Sequence, residues 1–150
     1  MYKNIVIPID INSKNSWELA ITAGFTFAKQ FGSELNFITV VPDYGLGMVQ
    51  QYFPKGWVNE IIQKSKLELV KIIEASLKGG DGNSLEGDLS YNIIVERGAV
   101  YQVIIDQAMK VKADLIIMPA HHPNRSDYLL GPNTAKVVRH SSISVLVVRE

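Results

Sequence analysis

Ile5-Val6-Ile7-Pro8-Ile9 is apolar at both parities, so a strand built from it has no face that suits water. Leu115-Ile116-Ile117-Met118 and Ser144-Val145-Leu146-Val147-Val148 share the property, and Leu35 to Val41 forms a similar run stopped by Pro42. Strands of this kind need helices above and below them. The spacing between the runs changes to a helical period. Ala20, Ala23, Gly24, Phe27, Ala28 and Phe31 mark a first helix, opened by Asn15 and Glu18 as a capping box and closed by Gly32. Val58, Ile61, Ile62, Leu69, Ile72 and Ile73 share one face of a long second helix, with Glu60–Lys64 and Glu74–Lys78 in the favourable i,i+4 order. A strand follows at about 89–96, where Leu89, Tyr91, Ile93 and Val95 alternate before Gly98. Val100, Val103, Ile104, Ala108 and Val111 mark the third helix. Gly131-Pro132-Asn133-Thr134 opens the last, with proline preorganised for the first helical position. The pattern β-α-β-α-β-α-β-α-β predicts an α/β fold, a doubly wound five-stranded parallel sheet with helices on both faces.

The 150 residues suit one domain, taken as 1–150. Apolar residues at 47% and charged residues at 20% exclude a disordered chain. Lys plus Arg and Asp plus Glu are 15 each, so no net field draws the chain to nucleic acid or to an anionic membrane. The chain has no cysteine, which excludes disulfides, thiolate metal sites and cysteine nucleophiles. Met1-Tyr2-Lys3-Asn4 leads straight into a strand, and no apolar run approaches the ~18 residues of a spanning helix. A soluble cytoplasmic domain is expected. Residues 42–56 form a long loop rich in glycine, proline and aromatics, and Gly79 to Ser84 form a second, polar loop.

Ligands of such sheets bind beyond the carboxyl ends of the strands, where strand order reverses. Two segments of one form stand there: Ile7-Pro8-Ile9-Asp10 after the first strand and Met118-Pro119-Ala120-His121 after the fourth. Asp10 suits a ribose hydroxyl, or serves as the turn residue of the Ile11–Ser16 connection. Gly131, Asn133 and Thr134 offer backbone N–H groups and a hydroxyl to an anion, or simply start a helix; Pro132 removes one N–H there. His121 and His122 are adjacent and lack a carboxylate at zinc-site spacing, so they read as ligand-facing rather than metal-binding. Arg125 reaches a phosphate or remains a solvated loop charge. There is no Walker A loop, no G-x-G-x-x-G and no G-x-S-x-G.

Taken together, Lys3-Asn4-Ile5-Val6-Ile7-Pro8-Ile9-Asp10, Val40, Gly98, Asp114-Leu115-Ile116-Ile117-Met118 and Tyr128 to His140 resemble the universal stress protein family over nearly the whole chain, with most similarity to its enterobacterial-type branch. The resemblance implies an adenine nucleotide alpha hydrolase-like sheet of order 3-2-1-4-5. It also implies a homodimer through the strand at 144–148, with tetramers as a further step. ATP-binding members carry G-x2-G-x9-G-(S/T). Here Gly131 remains, while Pro119 and His122 stand at the earlier glycines and Pro132 at the Ser/Thr. Carried over, Pro8, Ile9, Asp10 and Val40 border the adenosine, Met118 and His121 stand at the crevice, and Gly131, Asn133 and Thr134 face the phosphates. The implied function is a stress-response module that binds ATP, with or without Mg2+, and at most hydrolyses it slowly or phosphorylates itself. The alternative is a dimeric stress protein that binds no nucleotide and acts through protein partners.

Overall fold

In the computed structural model, residues 1–43, 48, 50–79, 89–120 and 130–149 are described. Among them the chain runs β1 (Asn4–Pro8), α1 (Lys14–Phe31), β2 (Glu34–Pro42), a 3-10 turn (Gln50–Tyr52), α2 (Trp57–Lys78), β3 (Tyr91–Gly98), α3 (Val100–Lys110), β4 (Leu115–Pro119), α4 (Pro132–His140) and β5 (Ser144–Val148). All pairings are parallel, and the order is β3-β2-β1-β4-β5. The doubly wound sheet expected from the alternation is therefore observed.

The two parities of each strand divide the core. Ile5, Ile7, Leu35, Phe37, Leu115 and Ile117 pack with Ala20, Ile21 and Phe25 of α1 and with Leu69 and Ile73 of α2. Val6, Ile38, Ile116 and Met118 pack with Ile104 and Ala108 of α3 and Val137 of α4. Each such isoleucine or leucine contributes roughly 1.5–3 kcal/mol by leaving water. Running β1-α1-β2-α2-β3 one way and β4-α4-β5 the other puts α1 and α2 on one face and α3 and α4 on the opposite one.

Local chemistry moves several boundaries. α1 begins at Lys14 with Ser13 as its cap residue, so the capping box from Asn15 is not its start. The Ser16 hydroxyl instead donates to the Ser13 carbonyl at 2.7 Å. Gly32 closes α1 as expected, at φ 64°, and its N–H donates to the Ala28 carbonyl. β3 lies two residues later than the alternation suggests and includes Gly98, whose φ of 146° suits glycine alone. A side chain there would also meet Val103. On α2 the observed ion pair is Glu68–Lys71; neither Glu60–Lys64 nor Glu74–Lys78 closes, as suits exposed pairs worth tenths of a kcal/mol. Most of the Gly79–Ser84 loop lies outside the described residues.

Candidate functional site

Proline determines where the sheet opens. β1 pairs with β2 along its whole length, up to Pro8 opposite Ile38, but with β4 only at Ile5–Leu115 and Val6–Ile116. Pro8 and Pro119, which end these two strands, have no N–H to extend the ladder. β1 and β4 therefore part at their carboxyl ends, at the point where the chain reverses its direction across the sheet.

A cavity of about 850 Å³ occupies this crevice. Pro8, Ile9, Asp10, Val40, Met118, Pro119, Gly131, Asn133 and Thr134 all line it, so every nominated site residue among those described reaches one place. His121, His122 and Arg125 lie outside the described residues. Asp10 supplies the one carboxylate of the described lining. One of its oxygens accepts the Asn12 N–H at 3.0 Å, forming an Asx turn, and its other oxygen has no partner among the described residues. The turn role and a ligand role are thus compatible within one side chain.

β1 and β2 are tied together beside Asp10. The Ile9 N–H donates to the Ile38 carbonyl at 2.7 Å, and the buried Thr39 hydroxyl donates to the Ile9 carbonyl at 2.9 Å. These bonds fix the backbone that carries Asp10 and leave the crevice wall rigid.

The opposite wall is the start of α4. Gly131 is its cap residue and Pro132 its first helical residue. Early in a helix the N–H groups have no intrahelical acceptor, so those of Asn133 and Thr134 remain available to an anion, while Pro132 offers none. The Thr134 hydroxyl is not a spare donor as expected: its proton goes to the Pro119 carbonyl at 3.0 Å. It lines the cavity, but its main hydrogen bond holds α4 to β4.

Sequence reasoning missed the third wall. Thr39, Val41, Trp57, Ile61 and Ser65 also line the cavity, as do Val100 and Ile104 from the other face. In sequence Ile61 reads only as part of an apolar helix face, a pattern that leaves Ser65 out. The available signal was a serine in the i+4 series Trp57, Ile61, Ser65, Leu69 and Ile73. Trp57 stacks on Phe53 with ring centroids 4.0 Å apart and planes 6° from parallel. At the end of β3, Arg97 pairs with Asp43 at 3.0 Å.

The arrangement offers one carboxylate, apolar walls and two helix-start N–H groups. Among the described residues no group of three or more His, Cys, Asp or Glu side chains gathers to hold a metal. No helix among them is long and apolar enough to cross a membrane.

Comparison with known proteins agrees with this architecture. The chain is 25% identical to Universal stress protein G of Salmonella typhimurium over 149 residues, covering 99% of this chain and 100% of that protein. Its fold matches that of the solved hypothetical protein MJ0577, with 26% identity, a TM-score of 0.75 and coverage of 100% and 97% of the two chains. A universal stress protein solved in complex with cAMP matches at 22% identity and a TM-score of 0.63, covering 99% and 97%. One from Archaeoglobus fulgidus, in complex with dAMP, matches at 17% identity and 0.63, covering 99% and 98%. The model of the universal stress protein family matches residues 1–149. With its sheet order, its crevice and this match in agreement, the chain belongs to the universal stress protein family.

Proposed function

We propose that the chain is a cytoplasmic stress-response module that binds ATP in the crevice between the carboxyl ends of β1 and β4. The observation that carries this reading is the convergence of Asp10, Val40, Met118, Gly131, Asn133 and Thr134 on one cavity at the switch point of the sheet. Asp10 would hold the ribose through its unpaired oxygen. The Asn133 and Thr134 N–H groups, with the positive end of the α4 dipole, would hold the phosphates. Val40 and Ile9 would border the base. The relatives solved with cAMP and dAMP support an adenine nucleotide as the ligand class. Mg2+, where it accompanies ATP, would be held by the phosphates and by water, since the remaining oxygen of Asp10 is taken by the ribose. It would neutralise phosphate charge there. The one carboxylate of the described lining is assigned to the ribose and the described lining holds no Walker-type lysine, which supports a binding module over a turnover enzyme.

A homodimer through the free edge of β5 belongs to the same reading. Among the described residues β5 pairs with β4 alone, and it carries an apolar sequence that an uncovered edge leaves prone to aggregation. Two such dimers pairing would give a tetramer.

The alternative, a dimer acting through protein partners without nucleotide, is favoured by two features of one turn. Pro132 removes a phosphate donor, and the Thr134 hydroxyl is engaged with Pro119. Calorimetric titration with ATP and Mg2+, on protein checked by mass spectrometry for carried nucleotide, separates the readings. Saturable micromolar binding is expected; no heat and no carried nucleotide would overturn the ATP reading in favour of the alternative.

A further inference from the structure

Trp57, Ile61, Ser65, Leu69 and Ile73 succeed one another at every fourth position of α2, and all but Ser65 are apolar. Trp57, Ile61 and Ser65 line the cavity, whereas Leu69 and Ile73 are fully buried in the core. Ser65 therefore stands at the floor, where cavity gives way to core. It is 7% exposed. Thr22, Thr26 and Ser76 each donate their hydroxyl to the carbonyl four residues earlier. Ser65 makes no such bond and has no hydrogen-bond partner among the described residues. Its oxygen is nonetheless not sealed in, since the one described side-chain atom both sealed and unbonded is Trp17 Nε1. A buried hydroxyl opening on a cavity is completed there by water, and a ligand that displaces that water must supply a polar group in its place.

The topology indicates what that is. The start of α4 stands over β4, Asp10 over β1, and Thr39 and Val41 over β2, beside α2. Crossing from β4 to β2 takes two interstrand spacings, about 10 Å, the reach of a nucleotide from phosphate through ribose to base. Ser65 lies at the base end of that line. Resting on the nucleotide reading above, we infer that Ser65 reads the polar edge of the purine and selects for a base with a hydrogen-bonding group at C6. A hydroxyl both donates and accepts, so it is completed by a 6-amino or a 6-oxo group alike; a purine with hydrogen at C6 leaves it unpaired. Ser65 thus discriminates against the bare purine, not against guanine. Its small size also gives the base its depth, because a leucine at this position would continue the apolar series into the cavity.

The test titrates the wild type, Ser65→Ala and Ser65→Thr with ATP and with purine riboside triphosphate, which lacks the 6-amino group. The wild type is expected to prefer ATP by about tenfold, the cost of one buried hydroxyl left unpaired. Ser65→Ala should bind both nucleotides equally and melt at or above the wild-type temperature, and Ser65→Thr should restore the preference. Equal weakening of both nucleotides by Ser65→Ala, or a preference that survives it, overturns the role of Ser65 while leaving ATP binding intact. A wild type that binds no adenine nucleotide overturns both readings.

Discussion

Thr134 donates its hydroxyl to the carbonyl oxygen of Pro119 across 3.0 Å, joining the first turn of α4 to the last residue of β4. Thr134→Val keeps the shape and leaves that carbonyl without its partner, a loss of about 1 kcal/mol. A fall in melting temperature of roughly 2–4 °C is expected. Thr134→Ser should melt near the wild type. Thermal melts followed by circular dichroism decide it, and a Thr134→Val variant as stable as the wild type would show that the bond contributes nothing.

Pro132 is the one position of this turn where a mutation should improve the proposed site. Pro132→Ser returns an N–H to the start of α4 and adds a hydroxyl, while serine remains acceptable so early in a helix. ATP affinity should rise about fivefold, equivalent to about 1 kcal/mol. Calorimetry on the two proteins at one salt concentration measures the change. Unaltered or weaker binding would place the phosphates away from α4.

Asp10, which lines the cavity, carries two separable tasks: one oxygen makes the turn contact to the Asn12 N–H, and the other has no partner among the described residues. Asp10→Asn preserves an acceptor for the turn, so its stability should stay within about 0.5 kcal/mol of the wild type. Asp10→Ala removes both functions and should reduce ATP affinity at least tenfold, about 1.4 kcal/mol. Binding that is indifferent to Asp10→Ala would remove this residue from the ribose site.

The β5 edge admits an equally direct test. The Val148 carbonyl accepts the Ala120 N–H, so the backbone of Val148 faces β4 and that of Val147 faces outward. Val147→Pro removes an N–H from the outer edge alone. Light scattering coupled to size exclusion should show a dimeric wild type, as the proposed pairing requires, and a variant that is a folded monomer. If the variant stays dimeric, the interface lies elsewhere.

Elements with one dominant signal were legible in the sequence. β1, β4 and β5 declared themselves through β-branched residues at both parities, and α4 through Gly131-Pro132. The first two walls of the cavity followed, because strand ends and a helix start are local features. The α2 wall did not follow, since Trp57, Ile61 and Ser65 meet Asp10 only through the stacking of α2 on the sheet, which periodicity does not reveal. Hydrogen-bond competition was equally hidden. Asn15 and Glu18 had the right spacing for a capping box, but Ser13 took the cap position. Thr134 had the right chemistry for an anion, but a carbonyl fifteen positions away in sequence claimed its proton.

Asp114 accepts the N–H groups of Lys3 and Asn4, at 2.7 and 3.1 Å, so the first strand is completed by a residue more than a hundred positions later. Contacts of such separation form late, because the loop they close is long. On the ribosome, β1 would emerge early and wait beside β2 with one flank bare until β4 appears. Asp10 and the start of α4 lie more than a hundred positions apart in sequence, so they would meet only after α4 has been synthesised. A product of translation that stops short of α4 would therefore carry half a crevice and none of its proposed capacity.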